Sequence, residues 1–138
     1  MAARDKIHNA VKNALIKDGW MITHDPLRIE YADKHVEIDL GAERLFAAQK
    51  GSEKIAVEIK SFLGRSKLHD FKELLGQYQI YLTLIGEVAP AYRLLVAVDE
   101  ETFEFDFDHA IIQLLIRQQQ IPFIVVDVES EEILSWQN

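Results

Sequence analysis

Near the N-terminus, Ile7, Val11, Ala14 and Leu15 fall on one stripe at helical spacing. The segment from about Ala3 to Lys17 therefore reads as an amphipathic helix, stopped by Asp18-Gly19. From Trp20 to Ile29 the alternation is that of a strand, broken at His24-Asp25-Pro26, where proline suits a turn or bulge better than a central strand. Glu30 to Lys34 is polar and reads as a connection. The stretch from Val36 to Phe62 then reads as antiparallel strands around Asp39, Leu45 to Gln49 and Lys54 to Ile59, the last two joined by a turn at Lys50-Gly51-Ser52.

After Lys60 the period changes. Ser66 suits the N-cap of a helix running to about Ile85, with Phe71, Leu74, Leu75, Tyr78, Tyr81 and Leu82 as its apolar face. Tyr92 to Val98 is a continuous apolar run, as expected of a buried strand. Phe107 to Gln118 reads as a helix with Ile111, Leu114 and Leu115 inward. Pro122 to Val128 reads as another buried strand, and Glu131 to Trp136 as a short final one. Strands joined by helical crossovers predict an α/β fold, a sheet flanked by helices. With neither a repeat nor a linker in view, residues 1–138 read as one domain.

Composition narrows the chemistry. A chain of 138 residues with 49% apolar content can bury a substantial core. No apolar run reaches a bilayer-spanning length and no signal-peptide core is visible, so a cytoplasmic protein without membrane association is expected. With no cysteine, metal ligands are restricted to carboxylates and histidines. The formal charge of −8 opposes simple electrostatic capture of DNA, so a nucleic-acid function requires a local basic patch or a bound cation.

Within Ile55 to Ile59 a single carboxylate interrupts an apolar strand, and alternation sends Glu58 and Lys60 to one side and Ile59 to the other. Charges in such a place persist when they pair or hold a metal. Asp39 is the natural third member. Two carboxylates on adjacent strands suit Mg²⁺ or Mn²⁺, with Lys60 able to orient water or offset developing charge. The simpler readings are a buried ion pair for Glu58 and Lys60, and a turn cap for Asp39. His8 lies one position off the first helix's stripe, where a solvated or core-satisfied histidine is the simple reading. Gln77 and Tyr81, four apart, share one side of their helix. Arg65, Lys67, His69 and Lys72 form a basic cluster that reads either as a phosphate-receiving patch or as a solvated helix start.

The order helix, Asp39, Glu58-x-Lys60, then a helix carrying Gln77-x-x-x-Tyr81 resembles the restriction-endonuclease-like PD-(D/E)xK nucleases, including archaeal Holliday-junction resolvases and RecB-type nucleases. The resemblance implies a restriction-endonuclease-like fold, with Asp39 and Glu58 as metal ligands, Lys60 as the catalytic lysine, and Gln77 and Tyr81 as the helix motif that supports the site. The first-helix acidic ligand of resolvase-like members falls here to His8, which favours Mn²⁺ over Mg²⁺, with Asp5 as an alternative. A likeness that runs along nearly the whole chain is to the XisH family, the fdxN element excision controlling factors of cyanobacteria. It is carried by Ala3-Arg4-Asp5, Thr23-His24-Asp25-Pro26-Leu27, Asp39-Leu40-Gly41-Ala42-Glu43-Arg44, Ile55-Ala56-Val57-Glu58-Ile59-Lys60-Ser61-Phe62 and Leu75-Gly76-Gln77-Tyr78. It implies a part in controlling a DNA rearrangement, alongside a site-specific recombinase and a XisI-like protein. A homodimer reaching both DNA strands is the oligomer expected from the nuclease resemblance.

Overall fold

In a computed structural model, which describes residues 2–46 and 51–137, the order of elements is α1 (Ala2–Lys17), β1 (Met21–His24), β2 (Leu27–Tyr31), β3 (Lys34–Ile38), β4 (Leu40–Phe46), β5 (Gly51–Ile59), α2 (Lys67–Val88), β6 (Tyr92–Asp99), a π-helical turn (Thr102–Asp106), α3 (Ala110–Gln119), β7 (Phe123–Asp127) and β8 (Glu132–Gln137). Six strands form one mixed sheet in the order β1-β4-β5-β6-β7-β8, and β2 with β3 forms a separate two-stranded sheet. The pairs β5–β6 and β6–β7 are parallel, and the others in the main sheet are antiparallel.

The two parallel steps run the same way across the sheet. Right-handed crossovers therefore place α2 and α3 on one face. Their core includes Phe71, Leu74, Tyr78 and Ile112 against Ala56, Leu94, Val96, Phe123 and Val125, and the β2–β3 hairpin adds Leu27, Ile29 and Ile38. On the other face α1 packs Ile7, Val11, Ala14 and Leu15 against Leu40, Ala42, Ile55, Val57, Leu95 and Ile124. Along β5 the alternation is strict: Ile55 and Val57 face α1, while Ala56 faces α2. Phe62, Phe71, Phe103, Phe107 and Phe123 meet edge-on or tilted, with ring centroids 5.1 to 6.5 Å apart.

Local signals account for most of the boundaries. Gly19, at φ +96°, ends α1. Ser66 caps α2 by accepting from the His69 N–H at 3.2 Å. The expected break at His24-Asp25-Pro26 is real: β1 ends at His24, just after its register with β4 slips between Ile22 and His24, and the chain turns through Asp25-Pro26 into β2. Glu30 to Lys34 is not a mere connection, because β2 pairs with β3 from Leu27↔Ile38 through Tyr31↔Lys34. The turn is confined to Ala32 and Asp33, with Ala32 at φ 54°. The strand expected at Leu45 to Gln49 starts earlier, at Leu40, and residues 47–50, including Lys50 of the expected turn, lie outside the described residues. Ile111 and Leu114 point outward, 58% and 47% exposed, while Ile112 is the buried residue of α3. That helix starts at Ala110 because the π-helical turn takes up the residues before Phe107. Leu82 is likewise on the open side of α2, and Ile85 takes the buried position.

Candidate active site

Asp39 is not inside a strand. It occupies the bend where the chain leaves the β2–β3 hairpin and enters the main sheet as β4. The bend brings its carboxylate to the end of β5, where Oδ2 accepts the Ile59 N–H at 2.8 Å. In return the Asp39 N–H donates to Glu58 Oε1 at 3.3 Å. Two acidic residues nineteen positions apart are thus locked by reciprocal backbone bonds. Lys60, on the same side of the strand as Glu58, sets its Nζ 3.3 Å from Glu58 Oε2. The ionisable trio read from the sequence therefore meets in space.

The electrostatics are those of a crowded anionic pair. Glu58 is 8% exposed, and burial together with the Asp39 charge pushes its carboxyl up to about 7, against the partial relief supplied by Lys60. Burial also pushes the Tyr81 phenol up to about 12, with the charges of Glu58 and Asp39 adding to the effect. Tyr81 on α2 therefore feels the same two carboxylates. One turn earlier, Gln77 holds a buried Oε1 that accepts no hydrogen bond from the described residues.

Asp39 and Lys60 line a cavity of about 440 Å³ whose other walls include Asp5, His8, Ser61, Leu63, Asp70 and Glu73. His8 therefore reaches the site from α1, yet its ring is held by Asp25, with Nε2 2.9 Å from Oδ1. The loop following β5 is braced. The Gly64 N–H donates to Asp70 Oδ2 at 2.9 Å, Lys67 Nζ donates to the Phe62 carbonyl, and Lys67 lies 3.8 Å from Asp106. Lys67 is thus engaged in holding this loop. Arg65 and Lys72 are exposed, and His69 pairs with Glu73 at 3.3 Å.

The donor set suits a hard divalent cation in kind. Two carboxylates, one of them pushed up first by burial and then by the other's charge, are oxygen ligands whose repulsion a cation relieves. Among the described residues no group of three or more His, Asp or Glu is arranged to hold a metal ion. The fit thus rests on Asp39 and Glu58, with water completing the sphere. Asp25 reads from the sequence as part of a turn, and its bonds to His8 and Lys12 on α1 are not visible there. Asp70, in the first turn of α2, and Glu73, one turn further on, were missed because nothing in the local pattern separates them from other acids near a helix start.

The family model described as XisH protein matches residues 1–134. This chain belongs to the XisH family. A solved structure of a fdxN element excision controlling factor protein from Anabaena variabilis is 39% identical, superposes with a TM-score of 0.86, and the match covers 98% of this chain and all of that one. An XisH family protein from Nostoc punctiforme is 38% identical with a TM-score of 0.84, over 97% of this chain and all of that one. Among curated proteins none matches. Among the described residues no helix is long and apolar enough to cross a membrane.

Proposed function

We propose that this XisH-family chain is an excision-controlling factor for a DNA rearrangement, with a restriction-endonuclease-like, metal-dependent site that hydrolyses DNA phosphodiesters. The observation that carries the reading is the knot of Asp39, Glu58 and Lys60, in which each carboxylate accepts a backbone N–H beside the other and the lysine closes on Glu58. Asp39 and Glu58 would hold Mg²⁺ or Mn²⁺. When bound, such an ion supplies charge neutralisation for a phosphate and makes a coordinated water more acidic. Lys60, on the cavity wall, offsets charge developing on the phosphoryl oxygens. Tyr81 lies within electrostatic reach of both carboxylates, Gln77 lies one turn away on the same helix, and Arg65 and Lys72 offer exposed positive charge to the DNA backbone. A homodimer would place two such sites on opposite strands.

A second reading is an accessory protein that does not cut and acts by binding DNA, a site-specific recombinase or a XisI-like partner. Two observations favour it: the net charge of −8 and the lack of a third metal donor in place among the described residues. Incubation of the purified chain with four-way-junction and linear duplex DNA, with Mn²⁺ or Mg²⁺, separates the two. The nuclease reading expects metal-dependent products that disappear in Glu58→Ala and Lys60→Ala. Cutting that survives both changes would contradict this site as its source, and absence of cutting by the wild type with either ion would leave the accessory reading.

A further inference from the structure

Strands β5, β6 and β7 run in parallel, and the knot of Asp39, Glu58 and Lys60 lies where β5 finishes. At the opposite end, where β6 and β7 begin, a cavity of about 770 Å³ opens between the sheet, α2 and α3. Lys54 pairs with Tyr92 at this end of the ladder and Glu58 with Val96 at the other, so four residues of strand, about 13 Å, separate the two places.

The walls reverse the charge of the rest of the chain. Arg93 of β6 and Arg117 of α3 line the cavity, and among the described residues no Asp or Glu does, although the chain carries 23 acidic residues against 15 basic ones. The cavity around Asp39, by contrast, also has Asp5, Asp70 and Glu73 in its walls. Lys54 adds a further positive charge, its Nζ 5.8 Å from the centroid of the Tyr92 ring, and that ring is itself a wall. Burial pushes the Tyr78 phenol up and the Arg93 charge offsets part of the rise, so that charge is felt at the wall formed by α2. Leu82, Leu94 and Pro122 supply apolar surface. Gln120, at φ 53° where α3 ends, supplies a side-chain amide, and the 3.0 Å bond from Gln79 to Gln119 ties α2 to α3 next to it.

We propose that this cavity binds a nucleoside monophosphate, with the phosphate on Arg93 and Arg117 and the base against Tyr92. Each part of that ligand answers a wall. A guanidinium offers phosphate two N–H donors at once and keeps its charge at any working pH. An aromatic ring gives a nucleobase a face to stack on, whichever base it is. An amide such as that of Gln120 can both donate to and accept from a base edge. The volume falls in the range of small-molecule sites. This binding needs no metal and does not depend on the nuclease reading above.

The test is calorimetric titration of AMP, GMP, CMP and UMP into the full chain in EDTA. At least one of the four is expected to bind saturably, with a Kd below about 1 mM. Its nucleoside without phosphate, and inorganic phosphate alone, are each expected to bind at least about tenfold more weakly, since each engages only part of the cavity. Arg117 is exposed, so its replacement leaves the core untouched. Arg117→Gln is expected to weaken binding about tenfold, and Arg117→Glu, which reverses the charge, to abolish it, with both variants folded by circular dichroism. Asp39→Ala is expected to bind the nucleotide as the wild type does. The proposal is overturned if none of the four nucleotides binds, if inorganic phosphate or the nucleoside binds as tightly as the nucleotide, or if either Arg117 variant keeps the wild-type affinity. Loss of binding in Asp39→Ala also overturns it, because the nucleotide would then sit in the other cavity. A chain that binds nucleotide but cuts no DNA overturns the nuclease reading alone.

Discussion

Replacing Glu58 with glutamine changes the energetics of the site in a way the structure makes quantitative. The Glu58 carboxyl rises from an ordinary 4.5 to about 7, chiefly through burial and then through the Asp39 charge. A group whose folded-state pKa is raised favours folding while it is protonated. That contribution is complete below the unfolded value and is lost as pH climbs through the folded one. At about 1.36 kcal/mol per pH unit of difference, the metal-free protein should lose about 2 to 3 kcal/mol between pH 5 and pH 8 on account of this one residue. Glutamine keeps an acceptor for the Asp39 N–H and carries no charge, so the variant escapes the loss. Urea denaturation of both proteins in EDTA at pH 5 and pH 8 gives the comparison, and other titrating groups largely cancel in the difference. Glu58→Gln is expected to gain about 2 to 3 kcal/mol on the wild type as pH rises from 5 to 8. A stability difference that does not change with pH would refute the claim that Glu58 is a desolvated acid crowded by Asp39.

Three further outcomes follow from the packing. Phe71 is fully buried and meets Phe107 at 5.7 Å and 90°; Phe71→Ala should cost about 3 to 5 kcal/mol by chemical denaturation, and a loss below about 1 would contradict its place in the core. A Cβ on Gly64 would stand 2.5 Å from Asp70 Oδ1, so Gly64→Ala should destabilise by about 1 to 3 kcal/mol. In an Asp70→Ala background the same change should cost much less, and full additivity would show that the close approach is not the cause. Spectrophotometric titration should show a tyrosine ionising near pH 12 that is absent from Tyr81→Phe.

The segments with strong periodicity were legible from the chain alone. The stripe of α1, the cap at Ser66 and the apolar runs of β6 and β7 each carry their own physical signal, and the alternation around Glu58 placed it correctly with Lys60. What pattern alone does not encode is partnership between distant residues. Tyr31 and Lys34 look polar, yet they close the ladder of a hairpin whose apolar side, Leu27, Ile29 and Ile38, packs under α2. Asp39 was placed in the site, but its bend between two sheets follows from where the hairpin docks. The inward face of α3 was misjudged because a short helix with Ile111, Ile112, Leu114, Leu115 and Ile116 is apolar over most of its circumference, and only the preceding π-helical turn sets its rotation. Lys67 was grouped with its basic neighbours, whereas Asp106, thirty-nine residues away, draws it into a loop brace.

The central claim, that Asp39 and Glu58 form a cation site, is tested most directly by titrating Mn²⁺ and Mg²⁺ calorimetrically into the wild type and Asp39→Ala. Saturable binding to the wild type that is lost in Asp39→Ala, with the variant still folded by circular dichroism, is the predicted result. A wild type that binds neither ion, or an Asp39→Ala variant that binds as tightly as the wild type, would contradict it.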